Sequence, residues 1–141
     1  MWSYNGEEFT SEMIGGRVGF VYEITDKTNG KKYIGKKTLW SKTTRPPLKG
    51  KKRKRKIIKE SDWQDYYGSS EEVKSLVEEC GRGRFDRKIL FLCNTKGEMS
   101  YMECYYQMIN HVLLKPDEYY NGFVGMKIHR SHVKNLKIED I

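Results

Sequence analysis

The chain has 141 residues, 37% of them hydrophobic and 13% aromatic, which suits one packed domain and argues against disorder throughout. Its 27 basic and 19 acidic residues give a net charge of +8, and seven of the eight residues from 49 to 56 are basic, so a local contact with a polyanion is predicted. No apolar run is long enough to cross a bilayer and no secretory signal pattern is visible, which argues against a membrane protein and predicts a cytoplasmic one.

The three cysteines, Cys80, Cys93 and Cys104, form no CxxC pair and are odd in number. This pattern indicates neither a zinc ribbon nor a disulfide framework. We therefore expect reduced, buried thiols.

Residues 1–16 have no sustained hydrophobic period and are predicted to be a lead-in arm. Residues 18–25 and 32–38 are rich in β-branched and aromatic side chains, and Asn29-Gly30 lies between them. Asn and Gly both tolerate the positive φ of tight hairpin turns. The two segments therefore predict a β-hairpin.

A basic insertion at about 43–60 contains Pro46-Pro47, Gly50 and the run of Lys and Arg. Such a composition cannot bury one face. The insertion is therefore predicted to be a solvated loop or arm within a single domain that spans 1–141 and ends in a basic tail.

Two helices and two further strands are predicted after the insertion. Apolar residues recur at helical spacing around 73–77, after Ser69 or Ser70 as N-cap and before a stop at Gly81. Residues 85–93 contain four apolar residues in a row and predict a buried central strand. A second helix of about four turns, which Pro116 ends, and a last extended stretch at 123–128 follow. The second helix is indicated by Met99, Met102, Tyr106, Ile109 and Leu113.

This order of elements predicts an α/β or α+β fold, in which helices flank a small central sheet with an N-terminal hairpin. Two short motifs lie on the predicted hairpin, Gly19-Phe20-Val21-Tyr22 and, eleven residues after its tyrosine, Tyr33-Ile34-Gly35. Here the sequence resembles the GIY-YIG nuclease family. Val21-Tyr22 matches the second and third letters of the first motif, with Phe20 where glycine is usual, and the second motif matches in full.

Other landmarks of that family follow in order, namely a glycine turn into a strand at 81–90, then Glu103 in mid-helix, then Asn121. The resemblance is to phage-type members, which are Seg-type or homing-endonuclease-like. It implies a DNA endonuclease that uses Mg²⁺ (or Mn²⁺) bound by Glu103 and leaves a 5′-phosphate and a 3′-hydroxyl. If a phage encodes the chain, the compartment is the cytoplasm of its bacterial host.

The resemblance also implies roles for other side chains. Tyr22, as phenolate or hydrogen-bonded phenol, would accept the proton of the attacking water, and Tyr33 would orient water or phosphate. A phenol has a reference pKa near 10, so a cation must help. Lys36 could depress a tyrosine pKa or hold a phosphate oxygen, and Lys37 is the spare candidate.

Periodicity supports a special role for Glu103, because Met99 lies four residues before it and Tyr106 three residues after it on the apolar helix face. A buried carboxylate without a partner is costly. The alternative is that Glu103 pairs with Lys or Arg inside the core. Glu98, by contrast, is predicted to be an ordinary surface carboxylate.

The family's helix with an arginine and then a histidine or tyrosine is interrupted here. Tyr66 stands in the place of the histidine or tyrosine, and Asp62 stands where arginine is expected. The available substitutes are Arg55, Arg53 and Arg84, the first two if the basic arm folds back on the site, and Arg55 is the one assigned. Asn121 would either hold the catalytic tyrosine or the backbone near Glu103, or be a simple turn residue.

The basic tract is predicted to bind the DNA backbone, because lysine and arginine neutralise phosphates without reading bases. The alternative is a solvated run that aids solubility. His129 and His132 lack further ligands for zinc, so a phosphate contact is expected of the tail. Trp40 and Trp63 are expected to anchor the insertion to the core. The tract consists of Lys49, Lys51, Lys52, Arg53, Lys54, Arg55 and Lys56.

The sequence therefore predicts a Mg²⁺-dependent endodeoxyribonuclease whose partner is DNA, with no small-molecule substrate. The alternative is a catalytically inactive DNA-binding module on the same scaffold. Oligomeric state stays open, a homodimer being one option.

Overall fold

The structure, a computed structural model that describes residues 1–141, has seven strands and two α-helices joined by single turns of 3₁₀ helix. The helices are α1 (Glu71–Cys80) and α2 (Lys96–Ile109). The strands are β1 (Trp2–Tyr4), β2 (Glu7–Glu8), β3 (Gly19–Asp26), β4 (Lys32–Thr38), β5 (Trp40–Arg45), β6 (Arg55–Glu60) and β7 (Phe85–Cys93). The predicted α+β class is confirmed.

Five strands form the main sheet in the order β2-β1-β7-β3-β4. The predicted hairpin is present as β3 and β4, which pair antiparallel with Tyr22 opposite Gly35. The predicted buried strand at 85–93 is β7, which lies between β1 and β3. β4 is therefore an edge strand, and no other strand of this sheet pairs with its outer side.

The prediction that residues 1–16 form a lead-in arm is wrong. β1 pairs parallel with β7, and Trp2 is 1% exposed with its indole N–H donated to the Trp63 carbonyl at 2.6 Å. Phe9 and Ile14 are buried in the same cluster. These large apolar side chains are scattered among polar ones, so they add to the core without producing a periodic pattern.

The two faces of the main sheet carry separate hydrophobic cores, called here the tyrosine face and the α2 face. The tyrosine face holds Tyr22 and is covered by Phe9, Ile14, Trp63 and α1. The α2 face is covered by α2 and the tail. Ile89 packs on the tyrosine face but Leu90 and Phe91 both pack on the α2 face, because β7 bulges against β3 between Val21 and Tyr22. Bulges re-aim neighbouring side chains, and this one adjoins the first motif.

The helices begin as predicted but α2 ends early. Ser70 caps α1 by accepting from the Val73 N–H, and Thr95 caps α2 in the same way. α2 stops at Ile109, ahead of Pro116, because His111 adopts a left-handed backbone with φ 54°. Leu113 therefore lies in a 3₁₀ turn.

The predicted last strand at 123–128 is not formed, and Phe123 is 78% exposed. The outward backbone groups of β4, which such a strand would need, already have partners. Lys32 exchanges hydrogen bonds with Glu118 and Tyr120, and Ile34 is bound by Asn121.

The basic insertion is a two-stranded antiparallel ribbon, β5 and β6. Of the two predictions for it, the solvated loop is wrong, and the solvated arm agrees with the exposure of residues 42–56. Pro46-Pro47 and Gly50 lie in the connection between the strands, and Thr43-Thr44 pair with Lys56-Ile57 within them. β-branched residues favour such pairing even where little is buried.

Two smaller predictions also need correction. Glu98 is 4% exposed, because it lies three residues after the helix cap beneath the tail and accepts from the Asn94 N–H. Cys80 is exposed and Cys104 half-buried, so only Cys93 is a buried thiol, and burial raises its pKa to about 12. No helix in the structure is both long and apolar enough to cross a membrane.

A buried ion pair fastens the hairpin turn to the rest of the fold. Asp26 has no exposed surface and accepts two hydrogen bonds from Arg84, at 2.8 and 2.7 Å, and one from the Tyr120 hydroxyl at 2.6 Å. The bonds from Arg84 lower the pKa of Asp26 from 3.8 to about 2, with the Tyr120 hydroxyl contributing. This network ties β3, the start of β7 and the segment before Asn121 together.

Asp26→Asn is expected to lower the free energy of unfolding at pH 7 by about 3 kcal/mol, because breaking a buried pair leaves Arg84 uncompensated. The folded-state pKa lies below the unfolded one, so the stabilisation is full above pH 3.8 and is lost as the pH falls towards 2. Urea unfolding at several pH values measures both. Asp86→Asn, in an exposed 3.8 Å pair with Lys27, is the control and should cost less than about 1 kcal/mol. Equal losses in the two variants would contradict this assignment.

Candidate active site

Both motif tyrosines lie on the tyrosine face at the β4 edge. Tyr22 is fully buried, and its ring centroid lies 6.2 Å from that of Tyr33. The Tyr22 ring crosses directly over Gly35, where a Cβ atom would come within 2.6 Å of its Cζ. The absence of a side chain at Gly35 therefore lets the Tyr22 hydroxyl reach past the last strand.

The segment that follows the ribbon closes over this tyrosine pair. Tyr66 packs edge-on against Tyr22, with centroids 5.9 Å apart, and the Tyr33 hydroxyl is 2.9 Å from Ser69 Oγ. The Lys37 ammonium lies 4.2 Å from the centre of the Tyr66 ring and pairs with Asp62 at 2.6 Å. One end of the site therefore combines three phenols with a cation.

Arg87 holds the Tyr66 segment in place from the core. Its guanidinium donates to the carbonyls of Gln64 and Tyr66, both at 2.9 Å, and stacks 4.1 Å from the Tyr67 ring. Only 6% of Arg87 is exposed. Its charge thus serves to position the loop beside Tyr22.

Glu103 approaches the same edge from the α2 face. It is half-buried, and Lys36, which also points to that face, donates its Nζ to Ser100 Oγ at 2.9 Å rather than to Glu103. The Lys36 charge and backbone N–H offset part of the effect of burial on Glu103. The Glu103 carboxylate therefore lies near the Lys36 ammonium but does not form an ion pair with it.

Asn121 and Gln107 bind the backbone between the two motif residues of β4. The Asn121 amide accepts from the Ile34 N–H at 3.0 Å and donates to the Ile34 carbonyl at 2.8 Å, as a paired strand would. Gln107 donates to the same carbonyl at 3.0 Å. Of the two roles open to Asn121, the structure supports a backbone clamp.

Burial favours the neutral forms of Tyr22, Tyr33 and Glu103, and so raises the pKa of all three. It is the main reason that the pKa of Tyr22 lies well above 10, and the charges of Tyr66 and Tyr33, a hydrogen bond to Tyr66 and the charge of Glu103 add to it. Burial likewise raises the pKa values of Tyr33 and Glu103. Of the two roles predicted for Lys36, the structure does not support lowering a tyrosine pKa, because Lys36 and Tyr22 lie on opposite faces of the sheet. The contact with a phosphate oxygen stays a prediction.

A family model described as "Putative endonuclease segE, GIY-YIG domain" matches residues 2–124. That range includes both tyrosine motifs, Glu103 and Asn121. The chain belongs to this GIY-YIG family. Neither the curated proteins nor the solved structures that were compared gave a match to the chain.

Most of the residues that the sequence suggests for the site of this GIY-YIG chain lie together at the β4 edge, but Arg55 is not among them. Arg55 begins β6, pairs with Arg45 at the far end of the ribbon and donates to the Pro46 carbonyl at 3.3 Å. Six residue pairs separate that end from the root at Trp40, roughly 17 Å of extended chain. The basic side chains that stand beside the tyrosines and Glu103 are Lys37 and Lys36.

Three contributors to the site were absent from the sequence prediction. Gln107 lies four residues after Glu103 and so shares its helix face, and Arg87 lies two residues from both Phe85 and Ile89 and so shares their inward strand face; both patterns are readable from the sequence. Ser69 carries no such signal, because its position depends on how the loop from 61 to 70 folds.

GIY-YIG nucleases depend on a divalent cation, and Glu103 is the side chain here that fits one. No cluster of three His, Cys, Asp or Glu side chains occurs in the structure. Mg²⁺ nevertheless needs only one or two protein carboxylates, since it keeps several waters and binds substrate phosphate. The donor set is therefore compatible with Mg²⁺ or Mn²⁺ held by Glu103.

Proposed function

We propose that this chain is a Mg²⁺-dependent endodeoxyribonuclease that hydrolyses a phosphodiester at the β4 edge. The observation that supports it most is the convergence of Tyr22, Tyr33 and Tyr66 from one sheet face with Glu103 from the other. Core packing alone does not require this arrangement. Tyr22 is fully buried next to two other tyrosine hydroxyls, with the Glu103 carboxyl on the other side of β4. Family membership supports the endonuclease class independently.

In this proposal each residue has a separate task. Tyr22, kept neutral by burial, orients the attacking water and acts as a relay base, accepting the water's proton as its own proton passes by way of the adjacent Tyr66 to solvent. Lys36 and Lys37 neutralise phosphate charge on the two sides of β4, in place of the family's helical arginine. A divalent cation on Glu103 would stabilise the charge that develops on the phosphoryl group and leaving oxygen.

Tyr22→Phe is expected to lower Mg²⁺-dependent nicking of supercoiled plasmid by about 100-fold or more, because general acid–base groups contribute that much. The ring, and with it the packing over Gly35, is retained. EDTA should abolish nicking by the unmodified chain. Tyr4→Phe, a half-buried tyrosine packed against the same core away from the site, is the matched control and should cut normally.

Plasmid binding without Mg²⁺-dependent nicking by any preparation would contradict the proposal. The alternative, a DNA-binding module that has lost its activity, would then account for the site. The raised pKa of Tyr22 is the observation that favours that alternative, since it leaves almost no phenolate at neutral pH to accept a proton from water.

We also propose that the basic tract on the ribbon supplies the contact with the DNA backbone. All seven of its Lys and Arg side chains are exposed. Each neutralised phosphate contributes about −0.9 to the slope of log K against log salt. Replacing Lys51, Lys52 and Arg53 with glutamine should therefore weaken duplex binding and make that slope about 2.7 units less negative.

Fluorescence anisotropy over a range of salt concentrations measures the slope. The control removes the same three charges elsewhere, at Lys27, Lys74 and Lys115, which are exposed and lie in weak ion pairs. An identical loss of slope in both triple variants would mean that net charge, and not the tract, is responsible.

A further inference from the structure

The ribbon of β5 and β6 has features that folding alone does not require. It carries ten basic residues and one acidic residue between Trp40 and Glu60, and only Ser41 and Ile57 are even half-buried. Arg45 and Arg55 lie directly opposite each other. Like charges in that position destabilise a strand pair, and an isolated two-stranded hairpin is only marginally stable. Both features are expected of an element that is stabilised when it binds a polyanion.

The root of the ribbon fixes its direction relative to the site. Leu39 is fully buried and its carbonyl accepts from the Ser61 N–H at 2.9 Å, while the Ser61 hydroxyl donates to the Thr38 carbonyl at 2.6 Å. The Trp40 indole donates to the Arg17 carbonyl at 3.1 Å. These bonds join the two ends of the insertion to the end of β4 and to the segment before β3.

The two faces of the ribbon differ in chemistry and in what they adjoin. One face, here called the reading face, adjoins a cavity of about 520 Å³ that is also lined by Lys37 and Asp62, beside Tyr66. The opposite face, with Lys42 and Ile58, adjoins a different cavity next to Val18 and Lys96. The reading face consists of Ser41, Thr43, Arg45, Arg55, Ile57 and Lys59.

The reading face has the side chains that recognise base edges. Arginine binds the O6 and N7 of guanine with two hydrogen bonds, serine and threonine hydroxyls bind several bases, and aliphatic groups contact the thymine methyl. Two strands about 4.8 Å apart fit a major groove about 12 Å wide, whereas the minor groove is only about 6 Å wide. Six residue pairs span roughly 17 Å, the length of about five base pairs.

We propose that the reading face of the ribbon enters the major groove of duplex DNA and contacts base edges close to the bond that is cut. The proposal rests on the proposed function for its substrate. It adds that Arg45 and Arg55 confer a sequence preference, which phosphate contacts by the tract cannot provide.

The test is selection of bound sequences from a pool of random duplexes in EDTA, so that binding is measured without cleavage. The unmodified chain should enrich a motif of about five base pairs that includes guanine. Replacing guanine in that motif with 7-deazaguanine, which lacks the N7 acceptor, should weaken binding about ten-fold. Arg45→Lys with Arg55→Lys keeps both charges on an exposed ribbon, and should lose both the motif and the effect of 7-deazaguanine.

The control is Lys42→Arg on the opposite face, outside the basic tract, which should keep the motif. The proposal is overturned if no motif is enriched, if the Arg→Lys variant retains it, or if single-stranded DNA binds as tightly as duplex. Plasmid nicking by an unmodified chain that enriches no motif would overturn the reading face and leave the nuclease proposal standing. An enriched motif without nicking would support base contacts by the reading face and contradict the nuclease proposal.

Discussion

Glu103→Gln is expected to reduce Mg²⁺-dependent plasmid nicking by about 1,000-fold or more, because a bound divalent cation stabilises transition-state charge by several kcal/mol. Glutamine has the same shape but no negative charge, and Mg²⁺ prefers carboxylate oxygen. Duplex binding in EDTA should be unchanged, since the basic tract lies on the ribbon. Single-turnover cleavage and anisotropy measure the two quantities separately.

The same variant should be at least as stable as the unmodified chain. Burial raises the pKa of Glu103, so at neutral pH the folded state carries a charge that it disfavours, and glutamine removes this cost. A variant that gains stability while it loses activity would identify Glu103 as a residue kept for function. A purely structural Glu103, paired with Lys36 in the core, predicts the opposite pattern.

Glu98→Gln is the matched control for this experiment. Glu98 is a second buried carboxylate on α2, 4% exposed, and bonds only to the Asn94 N–H at the helix start. Nicking should persist in that variant. Loss of nicking in both variants would mean that any change of charge on α2 disturbs the protein, and the assignment of Glu103 would fail.

The parts of the fold that the sequence predicts are those with a strong local signal. Asn29-Gly30 between two β-rich segments indicates β3 and β4, and the spacing of Met99 and Tyr106 places Glu103 inward. The ribbon was missed because its charges and prolines outweigh the short β-branched pairs in each strand. β1 was missed because three residues cannot show a period.

The geometry of the site depends on which face of the strand each side chain points to and on which strand lies at the edge of the sheet. Only the alternation of faces can be read from the sequence. Tyr33 and Lys36 are separated by an odd number of positions, so they must face opposite sides of β4. That β4 is the edge strand follows from long-range pairing, which no local pattern encodes. For this reason the sequence alone does not predict that Glu103 and Asn121 both lie beside β4.

Gly35→Ala is expected to lower the free energy of unfolding by about 3 kcal/mol and to reduce nicking by about 100-fold or more. The added Cβ would lie 2.6 Å from Tyr22 Cζ and 3.1 Å from Tyr33 Cε1, distances that require the rings to move. Tyr22 is enclosed by Trp2, Phe20 and Tyr66, so it cannot move freely. Urea unfolding and plasmid nicking measure the two effects.

Gly83→Ala is the control, because a Cβ there meets nothing within 4 Å and the backbone φ is not positive. It should change stability by less than about 0.5 kcal/mol and leave nicking intact. If Gly35→Ala behaves like Gly83→Ala, the Tyr22 hydroxyl does not depend on crossing β4 at the glycine. Gly35 would then be needed for the backbone of β4 and not to make room for the Tyr22 ring. The proposed position of the Tyr22 hydroxyl at the β4 edge would be wrong.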